Sequence, residues 1–415
     1  MNRPPHASVP DPHAGARRAH RARRRIRLSA LLAVPVLLAA WPAVRLPAQS
    51  PAASVVVRNP IAVARPSETI VLAAADLQRL LAVDDVRKVH VQDGAGGRDL
   101  LTQAVDLDDD GKFDQVIFQA DLAPSETHTF AAAVGERRIP RIDEFKAYGR
   151  FVRERRDDFA WENDRIAHRM YGAALETWAQ EPLTSSAVDV WTKRVRRLVI
   201  NDWYMVDDYH QDNGTGGDFY SAGRSRGCGG NGVWSGGKLY PSANFRDSRV
   251  LANGPIRVMF ELMYQAWDAA GVKVSEVKRI TLDAGHNLDR FESRYTAAGG
   301  EAPAIHAIGI KKAAGSVSVT SRERGTLRSW EAYRGTAGNM GCGVVVDPAQ
   351  LVEFGETDGN YVAVAKIAAG KPAVYHAGFG WDKSGDFKGV EDWDRYLDQA
   401  AQRLRTPVEV TLKAR

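Results

Sequence analysis

The sequence predicts a mainly β protein, with a small N-terminal β domain followed by larger antiparallel sheets packed face to face and few helices. Three observations predict it. Short β-branched or aromatic runs recur along the 415 residues. Turn signals such as Asp283-Ala284-Gly285 and Ala298-Gly299-Gly300 separate them. Helical periodicity is confined to two segments.

The chain opens on a basic and then apolar stretch. Nine arginines and one acid lie in residues 1–48, and residues 28–44 carry no charge. Pro35 and Pro42 interrupt that run, and Leu46-Pro47-Ala48 supplies small residues at its end. A basic region, an apolar region and a small-residue site are the parts of a secretory signal. A membrane anchor needs about 20 apolar residues. The interrupted run is short of that, so 1–48 reads as a cleavable signal peptide. A periplasmic or secreted protein is expected, with no membrane span after cleavage. The formal charge of the whole chain is +5, from 56 bases and 51 acids. Without the leader, 47 bases and 50 acids remain, a net of −3. No nucleic-acid partner is expected of such a surface.

Strand-like runs at 53–57, 69–73, 88–92, 115–119 and 127–133, with a short helix at 74–81, outline a small β domain over 50–137. Residues 137–146 read as a linker. A larger domain, 138–415, carries strand patterns at 194–200, 257–264, 275–282, 288–295, 305–310, 343–346, 361–367 and 408–412. Its one strong helix, 391–405, begins with acids and ends with arginines, which suits the helix dipole. The two cysteines, Cys228 and Cys342, allow one disulfide in an oxidising compartment or two buried thiols. Two isolated cysteines make no zinc site.

Within the small domain, Asp106, Asp108, Asp110 and Asp114 stand at positions 1, 3, 5 and 9 of a calcium-loop pattern, with Gly111 at position 6. Position 12, which should be a bidentate glutamate, is Ile117. An acidic turn entering a strand is the preferred reading, and a weak structural calcium site is the alternative. No other cofactor is expected.

Chemistry-bearing residues concentrate in three segments. In 161–172 (WENDRIAHRMYG), a continuous strand would align Glu162, Asp164, Ile166 and His168 on one face. Asn163, Arg165, Ala167 and Arg169 would line the other. Residues 202–245 hold Trp203, Asp207, Tyr209, His210, Asp218, Tyr220, Arg226, Trp234 and Asn244 among many glycines. So long an irregular stretch is usually functional when aromatics punctuate it. The glycines lack the strand–GxGxxG–helix setting of a dinucleotide site. Segment 375–387 adds His376, Trp381, Lys383 and Asp386. Aromatic faces beside acids, amides and arginines are what a sugar site requires. A single histidine among these is more often structural than catalytic.

The motifs WENDRIAHRMYG, DYHQDNGTGGDFYSAGRSRGCGG and AGFGWDKSGDF resemble signatures of a bacterial exported family, domain of unknown function number 4861. The likeness extends over most of the chain beyond the leader. The resemblance implies a galactose-mutarotase-like antiparallel β-supersandwich and a carbohydrate partner, with uronic-acid polysaccharides as the substrate class. It supplies no catalytic residues, and fold alone supplies no reaction.

Residue types support three enzyme readings. Elimination from a uronate would use Arg165 or Arg226 to neutralise the carboxylate, His168 or His210 as base, and Tyr209 or Tyr220 as acid. Hydrolysis would use paired carboxylates from Glu162, Asp207 and Asp218. An epimerase would set His210 or His376 against Glu162 or Asp218. A secreted sugar-binding module is the non-enzymatic alternative. Elimination is placed narrowly first, with Trp203, Asp207, Asp218, Tyr220, Trp234, Asn244, His376, Trp381, Lys383 and Asp386 as substrate contacts. The sequence leaves the oligomeric state open.

Overall fold

Alternation sets the first sheets. In the strand Ala53–Arg58 every second residue, Ala53, Val55 and Val57, is fully buried, as a half-covered sheet demands. The structure, a computed structural model, describes residues 53–414 apart from 95–96, 180–182, 184–185, 206–208, 334, 336 and 358. The predicted leader at 1–48 lies outside the described residues. Strand Ala53–Arg58 sits in a four-stranded antiparallel sheet, and a three-stranded sheet and helix α1 (Ala74–Leu81) pack beside it. Its outer partner is the last strand of the chain, Glu409–Ala414, in register from Ala53↔Ala414 to Arg58↔Glu409. The N-terminal sheets are thus closed by the C-terminus.

The larger part is an antiparallel β-supersandwich. An eight-stranded sheet runs in the order Asp247–Asn253, Arg257–Ala269, Val272–Asp283, Leu288–Ala297, Ala373–Trp381, Asn339–Val345, Thr326–Ala332 and Val317–Ser321. Two five-stranded sheets cover one of its faces through a shared core that includes Trp161, Phe260, Phe291, Ile308, Val344 and Tyr375. One of them, hereafter the flanking sheet, comprises Ala147–Val152, Asp158–Asn163, Ile166–Met170, Asp189–Lys193 and Gly216–Gly217. The other contains Cys228–Ser235, Ile305–Lys311 and Asn360–Lys366. Helix α3 (Val390–Arg405) packs on the opposite face of the eight-stranded sheet through Trp393, Leu397 and Ala401. A disulfide joins Cys228 to Cys342, with Cα atoms 5.4 Å apart, across the sandwich. Among the described residues, no helix is long and apolar enough to cross a membrane.

Three local expectations change. Residues 161–172 form a hairpin, not one strand: Asp158–Asn163 and Ile166–Met170 pair antiparallel, with Trp161 opposite His168. The turn at Asp164-Arg165 resets the alternation, so Glu162 and His168 do not share a face. Residues 194–200 make no strand; they are turns leading into the short helix α2 (Ile200–Tyr204). The glycine-rich run that read as loop contains the strand Cys228–Ser235. Glycine is poor in isolated strands, but here bulk is forbidden. A Cβ on Gly229 would fall 2.3 Å from the Ala377 side chain, and one on Gly232 would fall 2.8 Å from the Tyr240 carbonyl.

Candidate active site

The flanking sheet separates its residues by face. Trp161, Ile166 and Met170 enter the sandwich core, whereas Ala160, Ala167 and Trp191 face an outer cluster with Trp203, Tyr204 and Tyr209. Arg169 follows Ala167 on this outer side. It is 2% exposed, so it requires counter-charges. Asp189, directly across the sheet, accepts from Nε at 2.8 Å, and Asp218 accepts from Nη2 at 3.0 Å. Asp158 Oδ2 lies 3.7 Å from Nη1. The guanidinium also faces the rings of Tyr171, Trp191 and Tyr209 at 5.2–5.9 Å.

Above this group opens a cleft of ≈ 450 Å³, lined by Arg169, Tyr171, Asp189, His210, Asp218 and Tyr220 among others. Tyr171 donates to Asp189 Oδ2 at 2.7 Å, and Asp189 Oδ1 accepts from the Val190 amide at 2.9 Å. Asp189 is therefore occupied through both oxygens. His210 stands at the rim, its Nδ1 3.1 Å from the Asp218 carbonyl and 3.6 Å from Asp218 Oδ2. Its ring packs on Tyr209 at 4.6 Å. Tyr220 is 6% exposed, and among the described residues its hydroxyl has no hydrogen-bond partner. A phenol so placed usually finds one.

Burial decides the protonation here. The Tyr220 phenol is pushed well above its ordinary range by burial, then by the Glu331 and Asp189 charges. It remains a proton donor at neutral pH. Burial pushes Asp158 up to about 7, against the pull of Arg169 and Arg155. Burial works against the charge of Arg169, but Asp189 and Asp218 overcome it and hold the guanidinium above its usual range.

The expected site residues fall into separate places. His210, Asp218 and Tyr220 line the cleft. Tyr209 lies just beneath, where its hydroxyl accepts from Arg169 at 3.4 Å. Asp207 lies outside the described residues. His168 is in the sandwich core: fully buried, stacked on Trp161 at 5.1 Å and 3.0 Å from Asp289 Oδ2. Arg226 is also internal, donating to Ser186 Oγ at 3.3 Å, and burial lowers it to about 10. Glu162 is fully buried. It accepts from Lys193 Nζ at 2.6 Å and from the Val199 and Ile200 amides at 2.7–2.9 Å, anchoring the start of α2. Trp203 packs in the outer cluster and donates to Thr215 at 3.1 Å. Asn244 braces the cleft wall by donating to the Gly172 and Leu183 carbonyls at 2.9 and 2.6 Å. Trp234 packs with Leu239 and Ile305 on another sheet.

Segment 375–387 does meet the 161–245 region, beside the cleft. Arg165 donates to Asp386 at 2.5 Å, and Arg196 chelates the same carboxylate at 2.6 and 2.9 Å. Arg194 covers the Trp381 ring at 4.7 Å and donates to the Lys383 carbonyl at 3.2 Å. Trp381 lies 6.1 Å from Phe219, a cleft residue. His376 is elsewhere, in a cavity with Tyr396 and Arg403 of α3.

The cleft residues missing from the sequence-based expectation are Arg169, Asp189 and Tyr171. Arg169 was visible within WENDRIAHRMYG, but only the hairpin shows which face it takes. Asp189, in AVDVW, carried no motif. In the aspartate loop, Asp106, Asp108 and Asp114 bring one oxygen each within 4.8 Å of one another. Asp106 accepts from the amides of Asp108, Asp109 and Gly111, and Asp110 from Lys112. Ile117 is fully buried and offers no twelfth-position ligand.

Residues 57–410 match the family described as Domain of unknown function (DUF4861). The chain belongs to that family. Over 374 residues it is 32% identical to a Formosa agariphila relative, "Uncharacterized protein P7", covering 86% of this chain and 93% of the relative. Among solved structures, this DUF4861 chain is similar to an α-mannosidase from Enterococcus faecalis V583, with a TM-score of 0.47 and 10% identity over 88% of the chain. A glycosyl hydrolase family 38 protein from Enterococcus faecalis gives the same TM-score and identity over 89%. The chain spans about half the length of these two structures, 46% and 48%.

Proposed function

We propose that the cleft of Arg169, Asp189, His210, Asp218 and Tyr220 is the active site of an exported carbohydrate-active enzyme. In this reading it breaks glycosidic bonds by proton transfer. The observation that carries it is the buried Tyr220 hydroxyl, without a partner among the described residues, in the same cleft as a histidine set against an aspartate. A bound sugar oxygen satisfies that hydroxyl. Asp218 orients the His210 ring, and His210 takes the proton. Tyr220, protonated at neutral pH, gives one to the departing oxygen.

Elimination from a uronate stays ahead of hydrolysis for a geometric reason. Hydrolysis needs two carboxyl groups on opposite sides of the scissile bond. Asp189 and Asp218 instead bind neighbouring nitrogens of one guanidinium, which sets them on the same side. Arg165 is committed to Asp386, Arg226 lies inside the sandwich, and Arg169 already holds Asp189 and Asp218. In this reading the substrate carboxylate therefore reaches Arg169 only by displacing Asp218 from Nη2.

The test is incubation of the purified protein with acidic polysaccharides and oligosaccharides. Ultraviolet absorbance from a new double bond is expected, and His210→Ala should abolish it. New reducing ends without absorbance would mean hydrolysis instead. Binding without turnover would overturn the enzymatic reading.

A further inference from the structure

Helix α3 ends in arginines. Arg405 turns back and donates to the Ala401 carbonyl at 3.3 Å, an ordinary cap for a helix C-terminus. Arg403 does something else. It is 9% exposed, and its guanidinium lies over the Tyr396 ring at 5.7 Å. Among the described residues it makes no hydrogen bond and no ion pair. A guanidinium that is largely covered and lacks a carboxylate leaves its N–H groups to whatever occupies the adjacent space.

Arg403 lines a cavity of ≈ 230 Å³ between α3, the strand Arg65–Ala73 and the outer face of the eight-stranded sheet. The acids on its wall are already engaged. Asp283 holds Arg257 through two bonds of 2.6 and 2.7 Å, and Glu68 holds Arg65 at 3.2 Å. Arg290 enters the wall from the strand Leu288–Ala297 and pairs behind it with Glu292. His376 adds polarity without charge, because burial and then Arg290 and His286 lower it to about 3. His286 donates to the Ser67 carbonyl at 2.9 Å. Four guanidiniums in and around the wall thus meet three carboxylates, and Arg403 is the one left over.

We propose that this cavity is a binding site for an oxyanion, held by Arg403 and Arg290. Phosphate, sulfate and a sugar carboxylate share the required chemistry: a compact group of acceptor oxygens that takes charge-assisted hydrogen bonds from guanidinium. The volume admits such a group with a few waters, or one acidic sugar. The cavity shares no lining residue with the Tyr220 cleft, so it stands or falls independently of the proposed reaction.

The experiment is thermal unfolding of the full chain while chloride is replaced, at constant ionic strength, by inorganic phosphate, by sulfate or by glucuronate. A saturable rise in Tm is expected from at least one of them. Response to phosphate or sulfate alone identifies a free oxyanion, and a tighter response to glucuronate identifies a sugar acid. Arg403→Gln should weaken the response by about tenfold or more. If that variant does not fold, Arg290→Gln, at a side chain 43% exposed, carries the test with a several-fold loss. No saturable shift from any of the three anions, or unchanged responses in both variants, would overturn the site.

Discussion

Tyr220 and Asp158 show burial counting for more than neighbouring charges in setting a residue's chemistry. The Tyr220 hydroxyl is hidden and has no partner among the described residues, a cost of about 1–3 kcal/mol that folding does not recover. Removing it as Tyr220→Phe should leave stability unchanged or raise it by roughly 1 kcal/mol in urea unfolding. Turnover on the substrate found should fall by about 10²–10⁴. A structural tyrosine would show neither half of that pattern. Asp158 is proton-linked to folding. Its carboxyl is pushed up to about 7 in the folded chain, against about 3.9 when unfolded. Between those values the native state holds a proton that the unfolded state has lost. Stability therefore falls as pH rises through that window, by at most about 1.4 kcal/mol per pH unit, and levels off above it. Asp158→Asn should flatten this decline; urea midpoints at about pH 5 and 8 that fall as steeply as in the parent would refute the assignment.

At the scale of elements, the hairpin of Asp158–Asn163 and Ile166–Met170 builds the cleft. One turn determines that Arg169 faces outward to the aspartates while His168 faces the core. Glu162 on the same hairpin fixes what lies above. It meets the start of α2 through two backbone amides and pairs with the fully buried Lys193. Glu162→Gln leaves that ammonium without its counter-charge, so roughly 3–5 kcal/mol of stability should be lost. Measured activity should fall only in step with the folded fraction, whereas a catalytic Glu162 would lose turnover while fully folded. Helices α1 and α3 were legible from periodicity, and four of the eight strands of the large sheet, Arg257–Ala269, Val272–Asp283, Leu288–Ala297 and Asn339–Val345, from their β-branched runs. The strand Cys228–Ser235 was not, because its glycines are required by close packing that composition does not record.

For the whole molecule, two long-range links decide the architecture. The last strand, Glu409–Ala414, completes the sheet of the first described strand, Ala53–Arg58. The Cys228–Cys342 bridge spans a sequence separation of 114 residues and ties two facing sheets. Cross-linking a loop of that length restricts the unfolded chain, so Cys228→Ala with Cys342→Ala should cost roughly 2–5 kcal/mol in equilibrium unfolding. A double variant as stable as the parent under oxidising conditions would show that packing alone holds the sheets together.

The sequence by itself determined the β class, the two main helices, the family signatures and the stretch in which the cleft lies. These are local properties: periodicity, turn chemistry and motif composition are written along the chain. It also named three cleft residues, His210, Asp218 and Tyr220. Only the tertiary structure separated them from His168, Arg226 and Glu162, which carry the same residue types into the core. Only it added Arg169, Asp189 and the solitary Arg403. The reason is physical. Whether a charged or polar side chain is a structural tie or an available group depends on which face it takes and what it meets there. Both are fixed by contacts between residues far apart in the chain.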